Sequence, residues 1–235
     1  MGWFNSWLDK LYNTFIVADR WRSIVGGLEK TLIITVGALL IGVIIGTIVA
    51  IIKVFADSNK KSKFLKLLDW ICNVYLTVIR GTPVVVQLLI SFFIIFVWVK
   101  DGTGVAIITF GINSGAYVAE VIRSGIMAID KGQMEAGRSL GLSQAQTMKE
   151  IILPQAFKNI LPAIGNEMIA LLKETSVAGY VAVTDLTKAG NQIKNTTYDQ
   201  INPILLVALT YLVLVMLMTK LLSVMERRLR KSDKS

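Results

Sequence analysis

Asn113, Tyr117, Glu120 and Ser124 follow one another at spacings of four, three and four, which on a helix puts all of them on one narrow stripe. They belong to an apolar stretch, where a carboxylate is costly unless it meets a partner or a wet cavity, so Glu120 must point away from lipid. Two readings of it stay open: a structural ion pair with Arg123, three residues on, or a place along a permeation path. Glu167 and Glu174 are seven apart and share a face of a later segment, with Thr175 and Ser176 directly after them. Carboxylates beside neutral hydrogen-bonding groups suit the holding of a cation or a polar solute. Bond-making chemistry has little to work with, since the chain has no histidine and one cysteine, Cys72. That removes the commonest proton shuttle and metal ligand, together with any disulfide framework or cysteine-based metal site. No catalytic residue, no metal site and no cofactor is expected in this chain.

The elements that must carry these residues are written for lipid. Of the 235 residues 54% are apolar, well above a soluble domain. Thr31–Ile52, Gly81–Val99, Gly102–Ala119 and Ile201–Thr219 contain no Asp, Glu, Lys or Arg and run 18 to 22 residues each. A helix of roughly 20 apolar residues crosses a ~30 Å hydrocarbon layer, so four spans follow. Ala156–Val183 is long enough for a fifth, although Lys158, Glu167, Lys173 and Glu174 interrupt it. The expected fold class is therefore an all-α membrane protein of about five transmembrane helices. Met1–Leu28 lacks the uninterrupted apolar core and small-residue cleavage site of a secretory signal. Its Trp3, Phe4, Trp7, Tyr12, Phe15 and Trp21 suggest an interfacial segment over residues 1–26, where aromatic rings settle at the membrane boundary.

A net charge of +9 would suit nucleic acid, but in a membrane protein the placement of the charge decides first. Lys53–Lys66 holds five basic residues, Arg123–Lys158 five and Lys220–Lys234 six, the last including a basic tail at 227–235. On the alternate side, residues up to Lys30 hold four, Lys100 stands alone and Asp185–Asn202 holds two. Sixteen against seven puts the N-terminus outside and the C-terminus in the cytosol, the parity that five spans require.

Within the first span Ala38, Gly42, Gly46 and Ala50 recur every four residues, a face of small side chains on which another backbone can approach closely. In RGTPVVVQL, residues 80–88, Gly81 and Pro83 interrupt the preceding helix, so Val84 begins a new one. Free amides at that start would suit an anion. The competing reading, a bend near the cytoplasmic face with Arg80 reaching headgroups or another chain, is preferred here over a contact between Arg80 and substrate.

The stretch EAGRSLGLSQAQTMKEIILP, residues 135–154, is polar where its surroundings are not. Asp130 suits a helix start, Glu135 lies near its positive end, and Gly141 suits a left-handed stop after Leu140. Ser143 and Gln146 read as a capping box for a second helix, which Pro154 bends or closes. The first piece, near 131–141, is about ten residues or roughly 15 Å, too short to span. It must lie on the cytoplasmic surface, with Ala136, Gly137 and Gly141 keeping one side thin enough to enter a partner's groove.

Glu135, Ala136, Gly137, Gly141, Ile151, Leu153 and Pro154 resemble the EAA signature of ABC importer permeases, with Gly137 in place of the second alanine. GLEKTLIIT at 27–35, RGTPVVVQL at 80–88, SGAYVAEVIRSGI at 114–126 and LLKETS at 171–176 are similar to the polar amino-acid branch. The resemblance spans about Gly27 to Glu226 and implies a type I, MetI-like transmembrane domain over 27–226 in a bacterial inner membrane. It further implies that two permease chains, alike or related, form a pathway served by an external binding protein. Glu135, Ala136, Gly137, Arg138, Leu140 and Gly141 would couple each chain to an ABC ATPase subunit, which would bind ATP and Mg. The chain has no GxxxxGK[ST] loop of its own. For a zwitterionic amino acid, Glu120 or Glu174 would face the ammonium, while Asn113, Tyr117, Thr175 and Ser176 supply hydrogen bonds. A secondary transporter would show duplicated halves, which this sequence lacks. A channel subunit is the other rival, and dependence of uptake on ATP separates both from the importer.

Overall fold

A computed structural model describes residues 2–58 and 62–231, with side chains described for 6–57 and 62–229. Lys60 and Lys61 of the basic linker and residues 232–235 of the tail lie outside the described residues, as do the side chains of Trp3 and Phe4. The described residues form helices and short connections. α1 (Gly2–Leu11) leads through π and 3₁₀ turns to α2 (Trp21–Ser58), and α3 (Lys63–Gly81) follows. α4 (Val84–Ile90) continues as a π turn to Ile95, ahead of α5 (Gly102–Met127) and α6 (Lys131–Ser139). α7 (Gln144–Thr147), α8 (Leu153–Glu174), α9 (Leu186–Thr197) and α10 (Asn202–Lys231) complete the order.

Among the described residues, three helices are long and apolar enough to cross a membrane: Trp21–Asp57, Gly102–Met127 and Asn202–Leu229. The first two contain the expected spans Thr31–Ile52 and Gly102–Ala119, and the third covers Ile201–Thr219 except for Ile201. The expected span Gly81–Val99 is corrected. Thr82 is extended at the end of α3 and Pro83 cannot donate to a helix, so the chain restarts at Val84 and runs helically only to Ile95. Those twelve residues reach about 18 Å, too short to cross alone, and α3 and α4 together are long and apolar enough for a broken span or a re-entrant loop. α8 is about 33 Å long at 1.5 Å per residue, enough to span, but its charges set it apart from the apolar three.

Contacts divide the chain into two units. The first comprises Met1–Ala38, Val84–Phe110 and Ala170–Met218. Its core holds Ile24, Leu186, Ala189, Ile193 and Val207, with Phe15, Leu28, Leu206 and Tyr211 packed against them. Thr31 Oγ1 donates to the Gly27 carbonyl at 2.9 Å and accepts the Leu186 amide at 3.1 Å, which satisfies the start of α9 from a distant helix. Asp199 is 2% exposed just ahead of α10. It accepts from Thr14 Oγ1 at 3.1 Å and Asn202 Nδ2 at 2.6 Å and pairs with Lys10 at 3.4 Å, so it ties the N-terminal segment to the last helix. The interfacial segment expected at 1–26 thus ends inside α2, which begins at Trp21.

The second unit comprises Leu39–Pro83, Gly111–Ile169 and Thr219–Ser235. Val49, Cys72 and Ala119 form its apolar centre with Ile45, Ile52, Tyr75 and Leu76. The face of small residues on α2 does what its spacing implies: Gly42 lies against Ser114, and Gly46 against Val118 and the Ala119 backbone. Tyr75 donates its hydroxyl to the Ile112 carbonyl at 2.6 Å, fixing α3 to α5.

Candidate functional site

Within the second unit, α2, α3 and α5 line an open polar cavity of about 710 Å³. α2 contributes Lys53 and Asp57, α3 contributes Asn73, Thr77 and Arg80, and α5 contributes Tyr117, Glu120 and Arg123. Of the α5 members only Tyr117 and Glu120 belong to the stripe, and Arg123, three residues beyond Glu120, joins them. Those of α3 were missed, although Asp69, Asn73, Thr77 and Arg80 stand at four, four and three, the same signature in a helix not counted as a span.

Glu120 Oε1 accepts a 2.7 Å bond from Arg123 Nη2, and its Oε2 stands 3.9 Å from Arg80 Nη1. The pair with Arg123 is present, and Glu120 also lines the cavity. The Arg80 guanidinium carbon lies 5.6 Å from the centre of the Tyr117 ring, a cation–π contact. Lys53 Nζ donates to Asp69 Oδ1 at 3.0 Å and Asn73 Oδ1 at 2.7 Å, and Asn73 Nδ2 donates to Asp69 Oδ2 at 3.0 Å, a closed triad. Asn113 is 3% exposed and does not line this cavity, and Ser124, the last residue of the stripe, is exposed beyond it. Ser114, one residue along, reaches Glu167 instead, at 2.8 Å.

Glu174, Thr175 and Ser176 belong to the first unit. Thr175 is buried and spends its hydroxyl proton on the Leu172 carbonyl at 2.7 Å, which leaves it only acceptor capacity. Glu174 is half-buried at the end of α8. Ser176 lines a separate cavity of about 240 Å³ with Tyr180, Asp185, Thr187, Lys188 and Asn191. Asp185 caps α9 there, accepting the Thr187 amide at 2.9 Å and the Lys188 amide at 3.3 Å. Burial pushes its carboxyl upward against those bonds. The six residues expected to bind substrate are therefore distributed over the two units, with Tyr117 and Glu120 in one cavity and Ser176 in another.

The polar connector sits in the second unit. Asp130 accepts the Gly132 amide at 2.7 Å and starts α6. After Leu140, the Gly141 amide donates to Arg138 O and the Leu142 amide to Gly137 O, both at 3.1 Å, a Schellman stop that requires the +86° φ of Gly141. Ser143 and Gln146 complete the expected capping box, with bonds of 3.3 and 2.8 Å. Two expectations are corrected. Pro154 does not close the second helix: a π turn at Met148–Ile152 precedes it, the widened backbone there accommodates the proline ring, and α8 runs on to Glu174. Gly137 does not thin an outer face; it is buried against Thr147, where a Cβ would overlap the threonine methyl. The groups left at the surface are Glu135, Ala136, Arg138 and Leu140, the last 81% exposed.

With this geometry in hand, comparison with known proteins identifies relatives. The model of the family described as binding-protein-dependent transport system inner membrane component matches residues 42–231. The arginine transport system permease protein ArtQ of Bacillus subtilis is 39% identical over 213 residues, covering 89% of this chain and 94% of ArtQ. The L-cystine transport system permease protein TcyB of the same organism is 36% identical over 212 residues, covering 89% and 87%. A chain in the crystal structure of an amino acid ABC transporter with histidines superposes with a TM-score of 0.82 at 39% identity, covering 90% of this chain and 96% of that one. The helical, type I permease fold expected from the sequence agrees with this neighbour.

Proposed function

Because the chain belongs to the family of binding-protein-dependent transport system inner membrane components, we propose that it is the permease subunit of an ATP-driven importer of polar amino acids. In this reading the basic loops lie in the cytosol, the N-terminus lies outside, and two permease chains line the pathway in a bacterial inner membrane. A binding protein delivers substrate from outside. A separate ATPase, which binds ATP and Mg, receives α6 in a cleft, and closure of the ATPase dimer draws the two α6 rods together.

The observation that carries this reading is the build of α6. It is a nine-residue rod, capped by Asp130, stopped at Gly141 and braced on Thr147 through Gly137. A brace of that kind moves force into α8 without bending, while Glu135, Ala136, Arg138 and Leu140 remain free to dock. Reconstitution tests it. The chain, its ATPase and its binding protein in vesicles should accumulate labelled amino acid only when ATP is hydrolysed. A cysteine at Ala136 should cross-link to the ATPase. Uptake that proceeds without ATP would favour a secondary transporter or channel, and absence of the cross-link would remove the role of α6.

A further inference from the structure

We propose that Arg80 is an anchor for a carboxylate in the cavity formed by α2, α3 and α5, and that its ligand is the carboxylate of the transported amino acid. This rests on the importer reading above. Three cations line that cavity, and two are committed: Lys53 to Asp69 and Asn73, and Arg123 to Glu120. Arg80 is different. Among the described residues its guanidinium donates no hydrogen bond; its partners are the Glu120 carboxylate at 3.9 Å, beyond hydrogen-bonding distance, and the face of Tyr117. A guanidinium carries five N–H donors in a planar fork, and this one is 43% exposed beside a polar void.

Tyr117 and Glu120 act on the guanidinium as positioning groups. The ring covers one of its faces, and the carboxylate holds it by charge without taking up its fork. A carboxylate entering the cavity would take two of these donors in parallel, the geometry in which an arginine binds most strongly and most selectively. The volume of about 710 Å³ lies within the range of roughly 300–1,000 Å³ common to small-molecule sites. A lipid phosphate shares the same chemistry, so the test must separate the two.

The purified complex of this chain with its ATPase, without binding protein, is titrated with L-arginine and L-glutamine and with their α-amides, which lack the carboxylate. The acids should bind at least about tenfold tighter than the amides, the scale of a charge-assisted hydrogen-bonded pair. Arg80→Ala should abolish that preference while leaving amide binding within twofold. Arg80→Lys, which keeps charge but loses the fork, should retain part of it and serves where Arg80→Ala fails to assemble. An unchanged acid-to-amide ratio in either variant overturns the proposal, as does a wild-type complex that binds neither ligand. If Arg80→Ala instead strips bound phosphatidylglycerol, seen by native mass spectrometry, with the ratio intact, the site holds lipid and the substrate role fails. ATP-driven uptake by the wild type, measured in parallel, shows whether the importer reading stands independently of Arg80.

Discussion

Ser114 Oγ donates a 2.8 Å hydrogen bond to Glu167 Oε1 across 53 residues of sequence. Ser114 is fully buried, and on its other side Gly42 approaches so closely that a Cβ there would stand 2.9 Å from the serine Cβ and Oγ. Its rotamer has little freedom, and α5 is thereby registered on both α2 and α8. Ser114→Ala preserves the packing and deletes the donor. It should cost about 1–2 kcal/mol, the range for a hydrogen bond to a partly buried charged group in a helical membrane protein, read as a lower thermal midpoint in detergent.

Gly46 tests the small-residue face directly. A Cβ there would meet the Val118 side chain at 2.7 Å and the Ala119 backbone nitrogen at 2.8 Å, and backbone cannot swing away. Gly46→Ala should therefore destabilise by roughly 1–3 kcal/mol despite the better helix propensity of alanine. Gly104→Ala, in α5 with nothing within 4 Å of the added carbon, should be neutral or stabilising. Equal midpoints for the two variants would contradict the packing.

These two cases mark what the sequence makes legible. Glycines every four residues state that a helix face is thin, and Gly46 against Val118 shows that face in use. Caps are local, so Asp130, Gly141 and the Ser143–Gln146 box are readable from spacing alone. Partners far along the chain are not: nothing in the sequence joins Ser114 to Glu167, or Thr14 to Asp199. Loop charge favours a bend near the cytoplasmic face over a contact between Arg80 and substrate, and that reading conceals that α3 carries a polar stripe like that of α5. Gly137 was assigned to an outer face because small residues serve internal and external packing alike. The break at Thr82 and Pro83 was readable, but its consequence, a short α4 in place of a full span, follows from where the π turn ends at Ile95.

Asp199 is a latch whose strength depends on pH. Burial alone would raise its carboxyl, but bonds from the Asn202 side chain and amide, the Ile201 amide and the Thr14 hydroxyl outweigh it and hold the pKa at about 2. Unfolded, an aspartate titrates near about 3.9. The latch is thus fully present above about pH 4 to 5 and is lost as pH falls through about 2, a contribution of about 2 kcal/mol. Hydrogen exchange of residues 6–19 should be slow and level from pH 7 to 5, after correction for intrinsic rates. Asp199→Asn should raise it throughout that range, and a variant that exchanges like the wild type would deny the latch.

Glu120 stands between two guanidiniums, one bonded at 2.7 Å and one held at 3.9 Å. Glu120→Gln keeps the shape and removes the charge, so Arg80 loses its counter-ion and the cavity gains positive charge. Transport by the assembled complex should fall at least about tenfold, the effect of about 1.4 kcal/mol or more in lost charge complementarity. Substrate-stimulated ATP hydrolysis should fall in step. If both are unchanged, Glu120 serves the Arg123 pair alone and has no part in the pathway.

Gly141 and Gly137 separate the stop of α6 from its brace. Gly141 has open space around it but a φ of +86°, so Gly141→Leu strains the backbone by about 1–2 kcal/mol and misdirects the chain after α6. Gly137→Val has ordinary φ and no room, so it pushes α6 off Thr147. Glu135→Lys alters neither and changes only the charge that α6 presents. All three should leave the long helices folded, with wild-type gel-filtration profiles. Each should break the link between ATP hydrolysis and uptake: Gly137→Val by a loose rod, Gly141→Leu by a misplaced one, Glu135→Lys by failed docking. Normal assembly and transport in all three would mean that force does not enter the chain through α6.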